Sequence, residues 1–113
     1  MIRDDTVYMR HILDAIGRIE EYVIGLDRDA FLRTSLVQDG VIRQFEIIGE
    51  ATKNLSETLK ERHPNIPWKD IAGMRDKLIH QYFGVDISAV WETVVLDLSP
   101  LKEEISLILA TAP

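Results

Sequence analysis

Apolar residues recur every three or four positions along almost the whole chain. This spacing places them on one face of an α-helix, and no segment shows the strict alternation that indicates a strand. Four prolines and six glycines interrupt the pattern and divide it into separate helical segments. The sequence therefore predicts an all-α fold, an antiparallel bundle of four or five helices.

The interruptions set the expected bounds of the helices. Gly25 ends the first helix, and an aspartate just after it caps a short helical turn over 30–35. Two prolines within 63–68 end the second helix, Asp86 caps the fourth, and Ser99-Pro100 opens the last. The five expected helices span about 6–24, 35–59, 68–82, 87–98 and 101–110.

Length and composition favour one folded unit. The chain has 113 residues, of which 46% are hydrophobic and 28% charged, and this composition supports a single packed core. We expect one domain over 1–113. No apolar stretch approaches the ~18 residues of a membrane-spanning helix, and residues 1–8 lack a signal-peptide core, so we expect a cytoplasmic location without membrane contact.

The charge balance and the absence of cysteine exclude several function classes. A net charge of -6 argues against a protein that coats nucleic acid through bulk electrostatics, although it is compatible with a local basic site. A chain without cysteine has no disulfide, no thiol nucleophile and no thiolate zinc site. The sequence contains no Gly-rich phosphate loop or other cofactor motif, and we expect no cofactor.

Two carboxylates of the second helix have a spacing that metal sites use. Glu46 and Glu50 are four residues apart and therefore face one side of the helix. No Glu-x-x-His pair completes the ligand set of a helical-bundle metal site. We interpret them as a solvated acidic face paired with Arg43 or Lys53, and we expect no metal.

The densest group of reactive side chains lies in the third helix. Arg75, Asp76, His80 and Tyr82 bring a guanidinium, a carboxylate, an imidazole and a phenol within eight residues. At about 100° per residue, Asp76 and His80 share nearly the same face, where the carboxylate can orient the imidazole. Arg75 and His80 stand about 140° apart, so they converge on one substrate only if the helix distorts near its end or a second subunit contributes. A solvated amphipathic helix with a histidine near its C-terminus accounts for the same residues without a function.

The spacing Arg75-x4-His80-x-Tyr82 resembles the Arg-x4-His-x-Tyr motif of HepT-like toxins, a branch of the HEPN (higher eukaryotes and prokaryotes nucleotide-binding) superfamily. The resemblance extends from about Val41 to Leu98. The flanking segments that are similar to this family are Ile47-Ile-Gly-Glu-Ala51, Pro64-Asn-Ile-Pro-Trp68, Ile71-Ala-Gly-Met-Arg75, Tyr82-Phe-Gly-Val-Asp86 and Val90-Trp91.

This resemblance implies a helical bundle that forms a homodimer, places its two motif helices across a cleft and cleaves RNA without a metal. RNA supplies its own nucleophile, the 2'-hydroxyl. His80 is then the general acid or base, with the partner subunit's His80 in the complementary role. Arg75 stabilises the scissile phosphate, and Asp76 orients His80 or Arg75. Transfer RNA is the first substrate to test on this analogy.

The resemblance also implies a protein partner. In HepT-like type II toxin-antitoxin systems, a minimal nucleotidyltransferase is the antitoxin and attaches AMP to the motif tyrosine, here Tyr82, where the added phosphate repels RNA. Two alternatives use the same residues: a non-catalytic dimeric interaction module that partners the nucleotidyltransferase, and a nucleotide-binding module. A nuclease cleft should gather Lys77, Arg43 or Lys53 into a basic pocket, whereas a motif ringed by acids favours the interaction module.

Overall fold

The computed structural model describes residues 4–80 and 86–111, and it describes their side chains except those of residues 75–80. These residues form helices and contain no strand, which confirms the all-α prediction. Five helices have ten residues or more and two are shorter. The helices are α1 (Asp5–Val23), α2 (Arg28–Leu32), α3 (Ser35–Lys53), α4 (Glu57–Arg62), α5 (Trp68–His80), α6 (Ile87–Leu96) and α7 (Leu98–Thr111).

Aspartate caps begin three of the helices, and the sequence predicts that of Asp86. The short turn predicted over 30–35 is shifted, because α2 begins at Arg28 and ends at Leu32. The carboxylates of Asp4, Asp27 and Asp86 accept backbone N–H groups at the starts of α1, α2 and α6. Such caps satisfy N–H donors that have no partner within the helix. Gly25, with a φ of 75°, follows the end of α1, which confirms the predicted glycine stop.

The predicted single helix over 35–59 is wrong, because the chain breaks between α3 and α4. Ser56 caps α4, and its Oγ accepts the Leu59 N–H at 3.2 Å. The Asp5 carboxylate accepts the Ser56 N–H at 2.8 Å and the Ser56 Oγ–H at 2.6 Å. The apolar spacing hides the break because Leu55 remains buried in the core. A contact with the N-terminus of α1 therefore fixes this corner.

The predicted start of the last helix is also wrong. Helix α7 begins at Leu98, and Ser99 and Pro100 lie in its first turn. The carbonyl of Asp97 accepts the Leu101 N–H at 3.2 Å. Proline is tolerated in a first turn because the N–H groups there have no partner within the helix. The α6–α7 corner therefore consists of Asp97 alone.

The core is built around α3, which packs against both α1 and α5. Helix α7 packs against α1 and α6, and α2 packs against α3 and α6. In α2 and α6 the rings of Phe31 and Trp91 lie with their centroids 5.0 Å apart. None of the described helices combines the length and apolar character of a membrane span. The fully buried residues that confirm the predicted apolar faces of α1 and α3 are Ile12, Ala15, Ile16, Ile19, Val41, Phe45 and Ile48.

Candidate active site and its surroundings

Helix α5 carries the motif, and its first turns anchor it to the core. Trp68 and Ile71 are 8% and 7% exposed, and the Trp68 Nε1–H donates to the carbonyl of His63 at 2.9 Å. Burial of these side chains against α3 fixes the direction in which α5 continues. Trp68 is therefore a core residue, and its polar atom is satisfied.

Three of the motif-segment residues, Arg75, Asp76 and His80, occupy the last two turns of α5. The backbone is helical through residues 75–80, so Arg75, Asp76 and His80 are positions of one unbroken helix. Their side chains lie outside the described part of the structure, and Tyr82 lies outside the described residues altogether. A regular helix places positions 76 and 80 about 40° apart and positions 75 and 80 about 140° apart around the axis. No distortion of the backbone up to residue 80 brings positions 75 and 80 onto one face.

A cavity of about 430 Å³ lies beside α5, between α3, the loop before α5 and the α6–α7 corner. Buried apolar side chains form its floor, among them Phe45, Ile48 and Leu98. Among the residues whose side chains the structure describes, its lining includes three carboxylates and no lysine, arginine or histidine; the side chains of 75–80 in the same helix are outside that description. The acidic lining residues are Asp70, Asp97 and Glu104.

This acidic cavity is not predictable from local sequence patterns. Its three carboxylates come from α5, the α6–α7 corner and α7, and no local pattern links such separate elements. One signal was present, because Asp97 and Glu104 are seven residues apart and share a helix face once α7 begins at Leu98. The predicted helices 87–98 and 101–110 placed Asp97 and Glu104 in two different helices, so their shared face was not apparent.

A second, polar groove of about 380 Å³ runs between α1 and α3. Arg43 and Glu46 form an ion pair in it with an Nη1–Oε2 distance of 3.4 Å, which confirms the predicted pairing for Glu46. Glu50 and His11 also line the groove, and the His11 ring meets Tyr8 edge-on with centroids 6.0 Å apart. Among the side chains that the structure describes, those of 4–74 and 86–111, no three acidic or histidine groups lie so that they could hold a metal ion.

The basic residues expected around the motif are only partly described. Arg43 is paired with Glu46 in the α1–α3 groove, and Lys53 is exposed in the last turn of α3. The side chain of Lys77 belongs to the part of α5 that is outside the description. The predicted basic pocket around Arg75 therefore stays a prediction.

A family comparison assigns the chain to a known group. The family model described as Ribonuclease HepT-like matches residues 12–108. The chain belongs to the HepT-like ribonuclease family. The matched range of this HepT-like chain includes the whole motif segment 75–82, in agreement with the resemblance inferred from the motif and its flanks.

Curated relatives agree with this membership. "Gamma-glutamylcyclotransferase and putative RNase" of Methanocaldococcus jannaschii is 50% identical over 105 residues, which are 93% of this chain and 47% of that protein. "Probable ribonuclease HepT" of Thermococcus cleftensis is 47% identical over 102 residues, which are 90% of this chain and 93% of that protein. "Putative RNase" of Caldanaerobacter subterraneus is 42% identical over 102 residues, 90% of this chain and 91% of that protein.

The HepT-like chain thus spans about half the length of the first of these relatives and nearly the full length of the other two. No solved structure matches the chain significantly.

Proposed function

We propose that the chain is an endoribonuclease that cleaves RNA without a metal ion, with His80 and Arg75 at a cleft between two copies. The observation that carries the proposal is the family match over residues 12–108, which includes the Arg-x4-His-x-Tyr motif, and one unbroken helix holds its Arg75 and His80 positions. The relatives named as ribonucleases support the reaction class.

The reaction needs only acid, base and charge stabilisation. One imidazole removes the proton of the ribose 2'-hydroxyl, and the oxygen attacks the adjacent phosphorus. The bond from phosphorus to the 5'-oxygen breaks, and that oxygen takes a proton from an imidazolium. The products are a 2',3'-cyclic phosphate and a 5'-hydroxyl. Arg75 stabilises the negative charge on the non-bridging oxygens, and Asp76 orients His80 or Arg75.

The geometry of α5 supports a site shared by two copies. Positions 75 and 80 stand about 140° apart on a regular helix, so one helix presents them to different sides. Two α5 helices that face each other across a two-fold axis place both copies of each residue around one phosphate. One His80 then acts as the base and the partner subunit's His80 as the acid, because neutral imidazole and imidazolium coexist near neutral pH.

Cleavage in a chelator tests the reaction class. The unmodified protein, incubated with total RNA and with transfer RNA in excess EDTA, is expected to cut at a rate similar to that without EDTA. The cut ends should carry 2',3'-cyclic phosphate, because no water or metal hydroxide takes part in the first step. Intact mass must first show that the preparation carries no AMP. Cleavage that stops in EDTA and returns with Mg²⁺ would contradict the proposal.

We further propose that the chain is the toxin of a type II toxin-antitoxin system acting in the cytoplasm, and that a nucleotidyltransferase antitoxin adenylylates Tyr82. An AMP group there adds bulk and negative charge next to Arg75 and His80 in sequence, and negative charge repels the RNA backbone.

Substitution of Tyr82 by phenylalanine tests this regulation. The Tyr82→Phe protein is expected to gain no AMP in intact mass after incubation with the nucleotidyltransferase and ATP, and to keep its RNase activity. Tyr8→Phe is the matched control, and it should still be modified and silenced. If Tyr82→Phe protein is modified and silenced like the parent, Tyr82 is not the acceptor.

The acidic cavity beside α5 favours a second candidate function, a non-catalytic dimeric interaction or nucleotide-binding module that partners the nucleotidyltransferase. Among the described residues, those that line this space include Asp70, Asp97 and Glu104 and no lysine or arginine, and together with a net charge of -6 these carboxylates oppose RNA binding at the cavity. Absence of cleavage by AMP-free protein, combined with stable binding of the nucleotidyltransferase, would decide for this candidate.

A further inference from the structure

Two residues of α5 oppose the stability of the helix that contains them. Lys69 lies in the first turn, where the helix dipole favours an acidic side chain and disfavours a cation. Gly73 lies in the helix interior, where glycine is less favourable than alanine. Conflicts between local preference and fold are expected at functional sites. Lys69 and Gly73 are therefore candidates for a role outside the fold.

Neither residue takes part in packing within the described chain. A Cβ atom added at Gly73 would meet nothing within 4 Å, so no internal contact requires a glycine there. At Gly40, by contrast, an added Cβ would lie 3.1 Å from the Tyr22 ring. The Lys69 side chain is exposed, and among the described residues it has no ion-pair or hydrogen-bond partner. An unpaired cation and an open stretch of helix surface are thus available to a ligand.

Both residues share a helix face with His80. At about 100° per residue, positions 69 and 73 each lie within about 20° of position 80 around the axis of α5. They precede it by about 16.5 Å and 10.5 Å along the axis. Asp70 and Met74, which line the acidic cavity, stand about 80° and 120° away from position 80. The face of Lys69, Gly73 and His80 is therefore distinct from the cavity face of the same helix.

The charges around Gly73 are balanced, whereas those around an equally open glycine of α1 are acidic. A Cβ atom added at Gly17 would also meet nothing within 4 Å. The side chains three and four positions before and after a helical residue are its neighbours on the helix surface. They are Lys69, Asp70, Asp76 and Lys77 around Gly73, and Leu13, Asp14, Glu20 and Glu21 around Gly17. An anionic ligand is therefore repelled at Gly17 and admitted at Gly73.

We propose that an RNA strand lies along this face of α5, with the cleaved phosphate at His80, the sugar-phosphate backbone close to Gly73 and a further phosphate on Lys69. The inference rests on the proposed ribonuclease function and extends its site by one binding residue and one point of close approach. The Lys69 ammonium group donates to phosphate oxygens, and the missing side chain of Gly73 leaves room for the ribose between the two phosphates. The RNA is thereby kept away from the acidic cavity.

Binding of an RNA that cannot be cleaved tests the contact with Lys69. A labelled single-stranded RNA with 2'-O-methyl groups lacks the nucleophile, and fluorescence anisotropy measures its affinity for AMP-free protein at several salt concentrations. Lys69→Ala should weaken binding about fivefold at low salt, as expected for the loss of one exposed ion pair. It should also lower the slope of log affinity against log salt by about 0.7, the share of one phosphate on a single strand.

Lys102→Ala is the matched control. It removes the same charge from α7, where Lys102 is paired with Glu20, and it should leave the slope unchanged. A slope that Lys69→Ala does not change, equal effects of the two variants, or no saturable binding of the RNA would overturn the proposal.

A pair of glycine substitutions tests the close approach. Leucine is a good helix former that offers RNA no hydrogen bond, so Gly73→Leu and Gly17→Leu should both raise the Tm by a few degrees. Gly73→Leu should nevertheless weaken RNA binding about tenfold, because its side chain occupies the space assigned to the ribose. Gly17→Leu should bind RNA like the parent. Folded Gly73→Leu protein with the parent affinity for RNA would overturn the proposal.

Binding and cleavage distinguish this inference from the proposed function. RNA binding that depends on Lys69, in a protein that does not cut RNA, would support the inference and contradict the ribonuclease proposal. Cleavage by a protein whose RNA affinity depends on neither Lys69 nor Gly73 would mean the reverse. If Gly73→Leu instead shifts the monomer–dimer equilibrium in sedimentation and leaves the RNA affinity of the dimer unchanged, the face is a contact between copies and the RNA assignment is wrong.

Discussion

Replacement of His80 by alanine is expected to lower the rate of RNA cleavage by about a hundred- to ten-thousand-fold, the usual contribution of a positioned general acid or base. An imidazole is the side chain that both accepts and donates a proton near neutral pH. Alanine leaves the 2'-hydroxyl without a base and the 5'-oxygen without an acid. Single-turnover cleavage of labelled transfer RNA in EDTA measures the rate.

His63→Ala is the matched control for this substitution. His63 lies between α4 and α5, and its backbone carbonyl, which alanine retains, accepts the indole N–H of Trp68. The variant removes one imidazole from the chain while it preserves this anchor of α5, so it should cleave at the parent rate. A His80→Ala protein that is folded by circular dichroism and still cleaves like the parent would remove His80 from the mechanism.

The His80→Ala variant also tests whether two copies of the chain share one active site. Addition of excess His80→Ala chain to the parent protein should inhibit cleavage in proportion to the excess, because each mixed dimer has one imidazole for two proton transfers. Parent activity that does not respond to the added variant, once exchange of subunits has been shown, would indicate that each copy acts alone.

Local signals were sufficient to predict most helix starts. An aspartate cap depends only on the next three residues, so Asp86 could be identified as a cap without knowledge of the tertiary structure. The buried stripes of α1 and α3 likewise follow from the spacing of side chains such as Ile12 and Phe45.

The two wrong boundaries have different causes. At Ser56 the chain turns because Asp5, 51 residues away, binds its N–H and hydroxyl groups, and a local pattern carries no information on that contact. At Ser99-Pro100 the sequence offered a plausible cap, but the helix begins one residue earlier than that pair, at Leu98. Propensity at a helix start is weaker than the packing of Leu98, which is 5% exposed.

In the candidate site, too, some features follow from the sequence and others only from the packed structure. The spacing of Arg75 and His80 is a property of the sequence, and the structure adds that one continuous helix carries both positions. The acidic cavity joins Asp70, Asp97 and Glu104 from separate elements, so only the packed bundle brings them together. Tyr82 and the side chains of 75–80 lie outside the described structure, so the roles assigned to them stay predictions that the experiments proposed here test.

Replacement of Arg75 by alanine is expected to reduce cleavage by about a hundred- to a thousand-fold, the usual effect of removing one donor that stabilises developing negative charge. Arg75→Lys should recover only part of this loss, because an ammonium group lacks the planar pair of donors that matches two phosphate oxygens. Arg62→Ala is the control, since it removes the same charge from an exposed position in the last turn of α4.

The kinetic pattern of the Arg75 variants distinguishes stabilisation of the transition state from attraction of RNA. An interaction made only in the transition state lowers kcat and kcat/KM equally, whereas simple attraction of the RNA backbone raises KM and leaves kcat unchanged. We expect the first pattern for Arg75→Ala. A change confined to KM, or an Arg75→Lys protein as fast as the parent, would mean that Arg75 holds RNA near the site without taking part in the cleavage step.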